Sequence, residues 1–184
     1  MEQKAFSFGV LVGRFQPLHI GHIDMINKAV RICSGVGVFI GSSQESGTAK
    51  NPLSFELRKE MLERVFGNLV KVHPLPDAGL GNVSLWGEYV LDQILKFYPK
   101  LPDLFITGKE ARRISWFSGT RGSGIAELQI PKTIDISASE LREFLIKGDR
   151  TSWERYTPEK IHPMYETIRR NVTSSMNNDI SMSI

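Results

Sequence analysis

Residues 6–41 read FSFGVLVGRFQPLHIGHIDMINKAVRICSGVGVFIG, and within this stretch the hydrophobic period changes twice. The runs at 6–12 (FSFGVLV) and 36–41 (VGVFIG) are short, apolar and rich in β-branched and aromatic residues, which predicts two strands. Between them Ile20, Ile23, Ile26, Val30 and Cys33 recur at near-helical spacing, which predicts an amphipathic helix lying on the sheet with Cys33 at its end. The unit is a βαβ crossover. Further helices are predicted at about 54–66 and 84–97, further strands near 69–75, 103–107 and 125–130, and one more helix after the last strand. Because parallel crossovers are right-handed, this alternation gives an α/β fold: a Rossmann-like, doubly wound parallel sheet with helices on both faces.

After residue 148 the pattern is wholly helical, with Thr157 predicted as an N-cap, Pro158 at the first helical position, and Ile161, Met164, Tyr165 and Ile168 as the apolar stripe. One domain is therefore expected over 1–172, with a sheet core at about 6–148 and a C-terminal helical appendage at about 149–172. Residues 173–184 (TSSMNNDISMSI) are polar and weakly periodic, which predicts a flexible tail.

The 184 residues suffice for one self-supporting core. A hydrophobic fraction of 41% and a charged fraction of 23% are ordinary for a globular protein and argue against a disordered or fibrous chain. The single cysteine, Cys33, rules out an internal disulfide and any site built on several thiolates, and suits a reducing, cytoplasmic setting. The opening residues make a poor signal peptide and are too short to span a bilayer. A net charge of +3 suits a ligand carrying several phosphates without demanding a polyanion. The nearest candidate for nucleic-acid binding is Lys109, Arg112 and Arg113 with Trp116, too sparse a patch to favour it.

Two segments carry the chemistry. The first, GRFQPLHIGH at 13–22, lies between the first strand and the first helix, where doubly wound sheets place their ligand crevice. A helix start offers free N–H groups and the positive end of the helix dipole to phosphate. Gly13 and Gly21 let a ligand approach the main chain, and His19 and His22, three residues apart, point to the same side. A solvated polar face explains the two histidines alone, and as zinc ligands they lack a matching third. The combination with Arg14 and the glycines favours phosphate.

The second segment is ISASELREFL at 136–145. Ser137 followed by Glu140 forms a reciprocal capping box, which is reason enough for both residues. The same helix start also carries Ser139 in its first turn and Arg142 one turn on, a hydroxyl and a guanidinium suited to a β- or γ-phosphate.

On these two segments the chain resembles the HxGH nucleotidyltransferase superfamily and, within it, the archaeal-type nicotinamide-nucleotide adenylyltransferases, over about residues 6–160. GRFQPLHIGH is the specific part. ISASELR is similar to the family's second signature, with Ala138 and Ser139 in place of Gly and Thr, and Asn51-Pro52 is a weaker third likeness. The resemblance implies transfer of AMP from ATP to nicotinamide mononucleotide, giving NAD and pyrophosphate by direct in-line displacement. Nicotinate mononucleotide, FMN or phosphopantetheine as acceptor, cytidylyl transfer, and a non-catalytic NAD-binding regulator are the alternatives.

The resemblance further implies that His19, His22, Arg14 and Arg142 are the catalytic residues, holding the ATP phosphates. Gly13, Phe15, Gln16, Gly21, Ile136, Ser137 and Ser139 would line the ATP site. Trp86 matches the position of a tryptophan that stacks on the nicotinamide ring, beside the alternative of a core aromatic. The family's asparagine lies two or three residues before that tryptophan; here Asn82 lies four before it and Val83 takes one of the expected places. Mg2+ is expected as a bridge bound mainly through the ATP phosphates, with no protein metal ligands. A homo-oligomer is expected, without nucleic-acid or membrane partners.

Overall fold

The computed structural model describes residues 3–80, 82–108, 115–131 and 133–181, with side chains of the last helix through 176. Lys109, Arg112 and Arg113, the weak nucleic-acid candidate, lie outside the described residues. Strands β1 (Phe6–Gly13), β2 (Cys33–Gly41), β3 (Lys71–Leu75), β4 (Leu104–Thr107) and β5 (Ala126–Gln129) form one sheet in the order β3-β2-β1-β4-β5, and every pairing is parallel. The helices are α1 (Ile20–Ile32), α2 (Phe55–Phe66), α3 (Val83–Leu95), α4 (Ala138–Lys147), α5 (Arg150–Arg155) and α6 (Tyr165–Ser181), with 3-10 turns at Gly67–Leu69 and Glu159–Met164.

Alternation along the strands divides the core into two layers. Leu11, Val36, Val38, Ile40, Leu104 and Ile106 face one side and pack with Met25, Ile26 and Ala29 of α1, Met61 and Leu62 of α2, and Leu141 and Leu145 of α4. Phe8, Val10, Phe39 and Phe105 face the other, against Val90, Leu91 and Ile94 of α3 and Phe117. After β3 the chain recrosses the sheet by way of α3 and resumes beyond β1 at β4. The winding therefore reverses between β1 and β4, and a crevice opens past their carboxyl ends.

The C-terminal helices extend the first layer. Trp153, Ile161, Met164, Tyr165, Ile168 and Val172 belong to the same buried cluster as α1, α2 and α4. Arg169 donates to the Leu145 carbonyl at the end of α4 (3.0 Å), tying α6 to α4. The Tyr156 carbonyl accepts from the Ile20 N–H (3.0 Å), so the appendage also braces the first residue of α1.

Three local expectations change. Cys33 is the first residue of β2, paired with Phe6, because its buried thiol is needed beneath β1, against Gly9. Thr157 is not an N-cap: its buried hydroxyl donates to the Trp153 carbonyl (2.9 Å), and Pro158 caps a 3-10 turn. Of the segment predicted as a tail, residues 173–181 continue α6, where Ser175 is buried and its hydroxyl donates to the Asn171 carbonyl.

One contact within the second layer is intolerant of change. A Cβ added at Gly87 on α3 would lie 1.9 Å from the Trp116 carbonyl oxygen, whereas at Gly124 it would meet nothing within 4 Å. Gly87→Ala should lower stability in urea denaturation by about 3 kcal/mol, the upper part of the range for overpacking. Gly124→Ala should stay within about 0.5 kcal/mol of the parent. Equal effects from the two would contradict this packing.

Candidate active site

The loop that leaves β1 is held on three sides. Phe15 has a left-handed backbone (φ 52°), a conformation that costs a non-glycine residue and persists only where its surroundings enforce it. Its ring is buried over Gly13, where an added Cβ would stand 2.8 Å from it. Gln16, also buried, exchanges two hydrogen bonds with Leu53: its amide donates to the Leu53 carbonyl (3.0 Å) and its oxygen accepts from the Leu53 N–H (2.9 Å). Phe15 and Gln16 thus shape the loop from within. Gly13 clears space for the Phe15 ring and Gly21 for the His19 ring, 3.1 Å from the position of a Cβ.

His19 sits at the N-cap of α1 and His22 in its first turn, and their rings stack at 3.7 Å between centroids and 28°. The Phe15 ring meets His22 edge-on at 4.8 Å. His22 Nδ1 is shut off from solvent with no protein hydrogen-bond partner among the described residues, which leaves Nε2 to meet a ligand. Burial, and then the neighbouring His19, pull the His22 imidazole well below its usual range. It is therefore neutral at about pH 7. Of the N–H groups at this helix start, that of Ile20 is taken by Tyr156, whereas those of Gly21 and His22 have no partner among the described residues.

The start of α4 faces the same loop. Ser137 is its N-cap and forms the predicted box: its hydroxyl accepts from the Glu140 N–H (3.2 Å), and Glu140 accepts from the Ser137 N–H (2.8 Å). Ile136 is buried just before the cap. Arg142 donates to the Gln16 carbonyl (2.8 Å) and to the Ser139 hydroxyl (3.1 Å). This guanidinium spans the two sequence segments. Burial and the positive charge of Arg14 lower its pKa. Arg14 itself is exposed, its stem beside Gly41.

Across the sheet, Trp86 lies half-buried on the first turn of α3, edge-on to Trp116 (5.9 Å) and beside Tyr89 (5.5 Å). Leu85 next to it is 57% exposed, so this turn is not sealed in the core. Asn82 is the N-cap of α3, its oxygen accepting from Ser84 (2.8 Å) and Leu85 (3.2 Å). Only its NH2 group remains available.

Sequence reasoning missed Arg58. This α2 side chain is fully buried and donates to four carbonyls: Gly41 (2.8 Å), Ser42 (3.0 Å), Arg14 (3.1 Å) and Ser54 (3.1 Å). Burial brings its pKa down to about 10, leaving it charged at neutral pH. The available signal was its position three and four residues before Met61 and Leu62, inside the apolar stripe of α2. The loop over 42–53 was also undervalued: Asn51, fully buried, donates to Glu45 (2.5 Å), and Ser42 donates to Asp77 (2.5 Å).

The histidine geometry sets a pH dependence. A folded-state pKa below the unfolded value means that the unfolded chain binds more protons in the window below about pH 6.5, so stability falls as pH drops through it. His73, half-buried on the edge strand β3 and near Lys59 and Lys71, is lowered too and acts with the same sign. His22→Asn should flatten the loss of stability between about pH 6.5 and 5 in urea denaturation, leaving the share of His73. An unchanged slope would show that His22 titrates freely.

The sequence profile of the cytidylyltransferase-like family matches residues 10–144. A nicotinamide-nucleotide adenylyltransferase from Pyrococcus furiosus is 32% identical over 168 residues, covering 88% of this chain and 84% of the relative. One from Thermococcus onnurineus is 30% identical over 166 residues, covering 88% and 83%. A bifunctional NMN adenylyltransferase/ADP ribose pyrophosphatase from Francisella tularensis superposes with a TM-score of 0.76 at 20% identity, a likeness of fold. It covers 96% of this chain, which spans 55% of that longer one. Fold, site geometry and sequence kinship agree: the chain belongs to the cytidylyltransferase-like family and, within it, to the nicotinamide-nucleotide adenylyltransferases.

Proposed function

We propose that this chain transfers AMP from ATP to nicotinamide mononucleotide, forming NAD and releasing pyrophosphate. The observation that carries the reading is the Arg142–Gln16 hydrogen bond of 2.8 Å, which joins the α4 start to the loop before α1. Two helix starts, two stacked imidazoles and the Arg14 and Arg142 guanidiniums then serve one triphosphate.

In the reaction a phosphate oxygen of the mononucleotide attacks the α-phosphorus of ATP in line, the bond to the β-phosphate oxygen breaks, and pyrophosphate leaves with the electron pair. The attacking phosphate is already ionised near neutral pH, so no general base and no protein nucleophile are required. Catalysis rests on positioning and on neutralising charge as it builds on the leaving group. We infer that His22 Nε2 serves the α-phosphate and His19 the leaving phosphates, with Arg14 and Arg142 as fixed cations. Ser139 and the N–H groups of the α4 start that have no partner among the described residues assist. Magnesium is proposed to enter with the triphosphate, since among the described residues no three His, Cys, Asp or Glu side chains converge to hold an ion.

Trp86 is proposed to stack on the pyridine ring, its half-exposed position on α3 supporting this, and the Asn82 NH2 is the group left to reach the ring substituent. A homo-oligomer is proposed as well, supported by β5, whose exposed outer edge pairs with no other strand among the described residues. No helix among the described residues is long and apolar enough to cross a membrane. A cytoplasmic setting is proposed on the buried free thiol of Cys33.

NAD formation from ATP and nicotinamide mononucleotide with magnesium, run beside the deamidated analogue, tests the reaction. His22→Ala should slow turnover by about 100-fold or more while the protein stays folded. Tight NAD binding without pyrophosphate release, or near-parental turnover in that variant, would overturn the assignment.

A further inference from the structure

The Arg58 guanidinium is a buried charge whose only direct partners among the described residues are carbonyl oxygens. Burying a charge is costly, and an apolar side chain in the stripe of α2 would avoid that cost. Three of its four acceptors lie where two strands end, with Gly41 closing β2, Ser42 following it and Arg14 following β1, while Ser54 caps α2. Among the described residues the two non-glycine residues with left-handed backbones are Phe15 (φ 52°) and Ser42 (φ 49°); the Arg14 carbonyl immediately precedes the first, and the Gly41 and Ser42 carbonyls flank the second. Such residues persist only where their surroundings over-determine them. The Arg14 carbonyl belongs to the peptide plane that also carries the Phe15 N–H, and in a trans peptide the two point in opposite directions. Directing that carbonyl at Arg58 therefore turns the Phe15 N–H away from α2. Arg142 grips the next carbonyl but one, that of Gln16. Two guanidiniums thus hold the acceptor side of the loop and leave its donor side free.

We propose that Arg58 is a positioning residue for the triphosphate: by holding the carbonyls of Arg14, Gly41 and Ser42 it sets the left-handed turns at Phe15 and Ser42, so that the Phe15 N–H and the Arg14 side chain present themselves to ATP. It touches no substrate. Its charge adds to those of Arg14 and Arg142, and repulsion from Arg14 acts on Arg58 and Arg142 alike. Lysine keeps the charge but has three donors on one atom and cannot span four carbonyls.

The inference rests on the adenylyl-transfer reading, and the test separates the two. ATP binding by calorimetry needs no turnover, so a parent chain that binds ATP without making NAD would sink the reaction and leave Arg58 open to this same measurement. Arg58→Lys and Arg58→Met are compared with the parent, at a temperature where circular dichroism shows each folded. ATP affinity should weaken by about 10- to 100-fold, more in Met than in Lys. The KM for the mononucleotide should stay within about twofold. In the parent, ATP should shift the Phe15 amide signal in 1H–15N spectra, and in Arg58→Lys that shift should be lost. Should Arg58→Met fail to fold, Arg58→Lys carries the test. ATP affinity within about twofold of the parent in a folded variant, or parallel loss for both substrates, would overturn the proposal.

Discussion

Parallel pairing of β1 on both sides, with β2 along its whole length and with β4 along Gly9–Leu11, is the constraint from which the site follows. A central strand flanked by parallel neighbours needs crossovers on both sides, and the two crossovers cover opposite faces of the sheet. The chain leaving β1 consequently emerges into a gap that no connecting helix fills. Everything assigned to phosphate lies at that exit: the Arg14–Gln16 turn, the start of α1, and the start of α4 brought over by Arg142.

The polar groups at this exit divide into those that build the loop and those left over. Gln16 is consumed by Leu53, Arg58 by four carbonyls, and Ser137 by Glu140. What remains is of one electrostatic kind: the first-turn N–H groups of two helices, an exposed Arg14, and the part of Arg142 that Gln16 and Ser139 leave free. A site rich in uncommitted donors and cationic side chains favours a multiply charged anion. The depressed His22 pKa belongs to the same logic, since a neutral imidazole is what such a positive pocket tolerates until phosphate enters.

The elements with strong periodicity were legible in the sequence. The alternation of 2-fold and 3.6-fold patterns placed all five strands and the helices of the sheet core, and the Ser137–Glu140 spacing stated its own cap. Local rules failed where a tertiary contact outweighed them. Cys33 continued the helical stripe in sequence yet starts a strand, because its thiol packs under Gly9. Thr157-Pro158 carries a cap signal, yet the threonine hydroxyl returns to Trp153. The helix runs on into the segment read as a tail from Val172, which sits just before it in the core cluster. Arg58 was opaque for a related reason: a charge within an apolar stripe is visible in the sequence, but its acceptors are main-chain atoms, which no residue type announces.

The site depends on whether the stacked histidines at the start of α1 meet the triphosphate. The direct measurement follows 15N-labelled imidazole resonances as ATP and magnesium are added at about pH 7. The rings of His19 and His22 should move together toward the hydrogen-bonded or protonated signature, while His73, hydrogen-bonded to Tyr98 on β3, and His162, beside Thr157, keep their positions. Saturation with ATP that leaves the His19 and His22 signals unmoved would place the phosphates elsewhere and contradict the site.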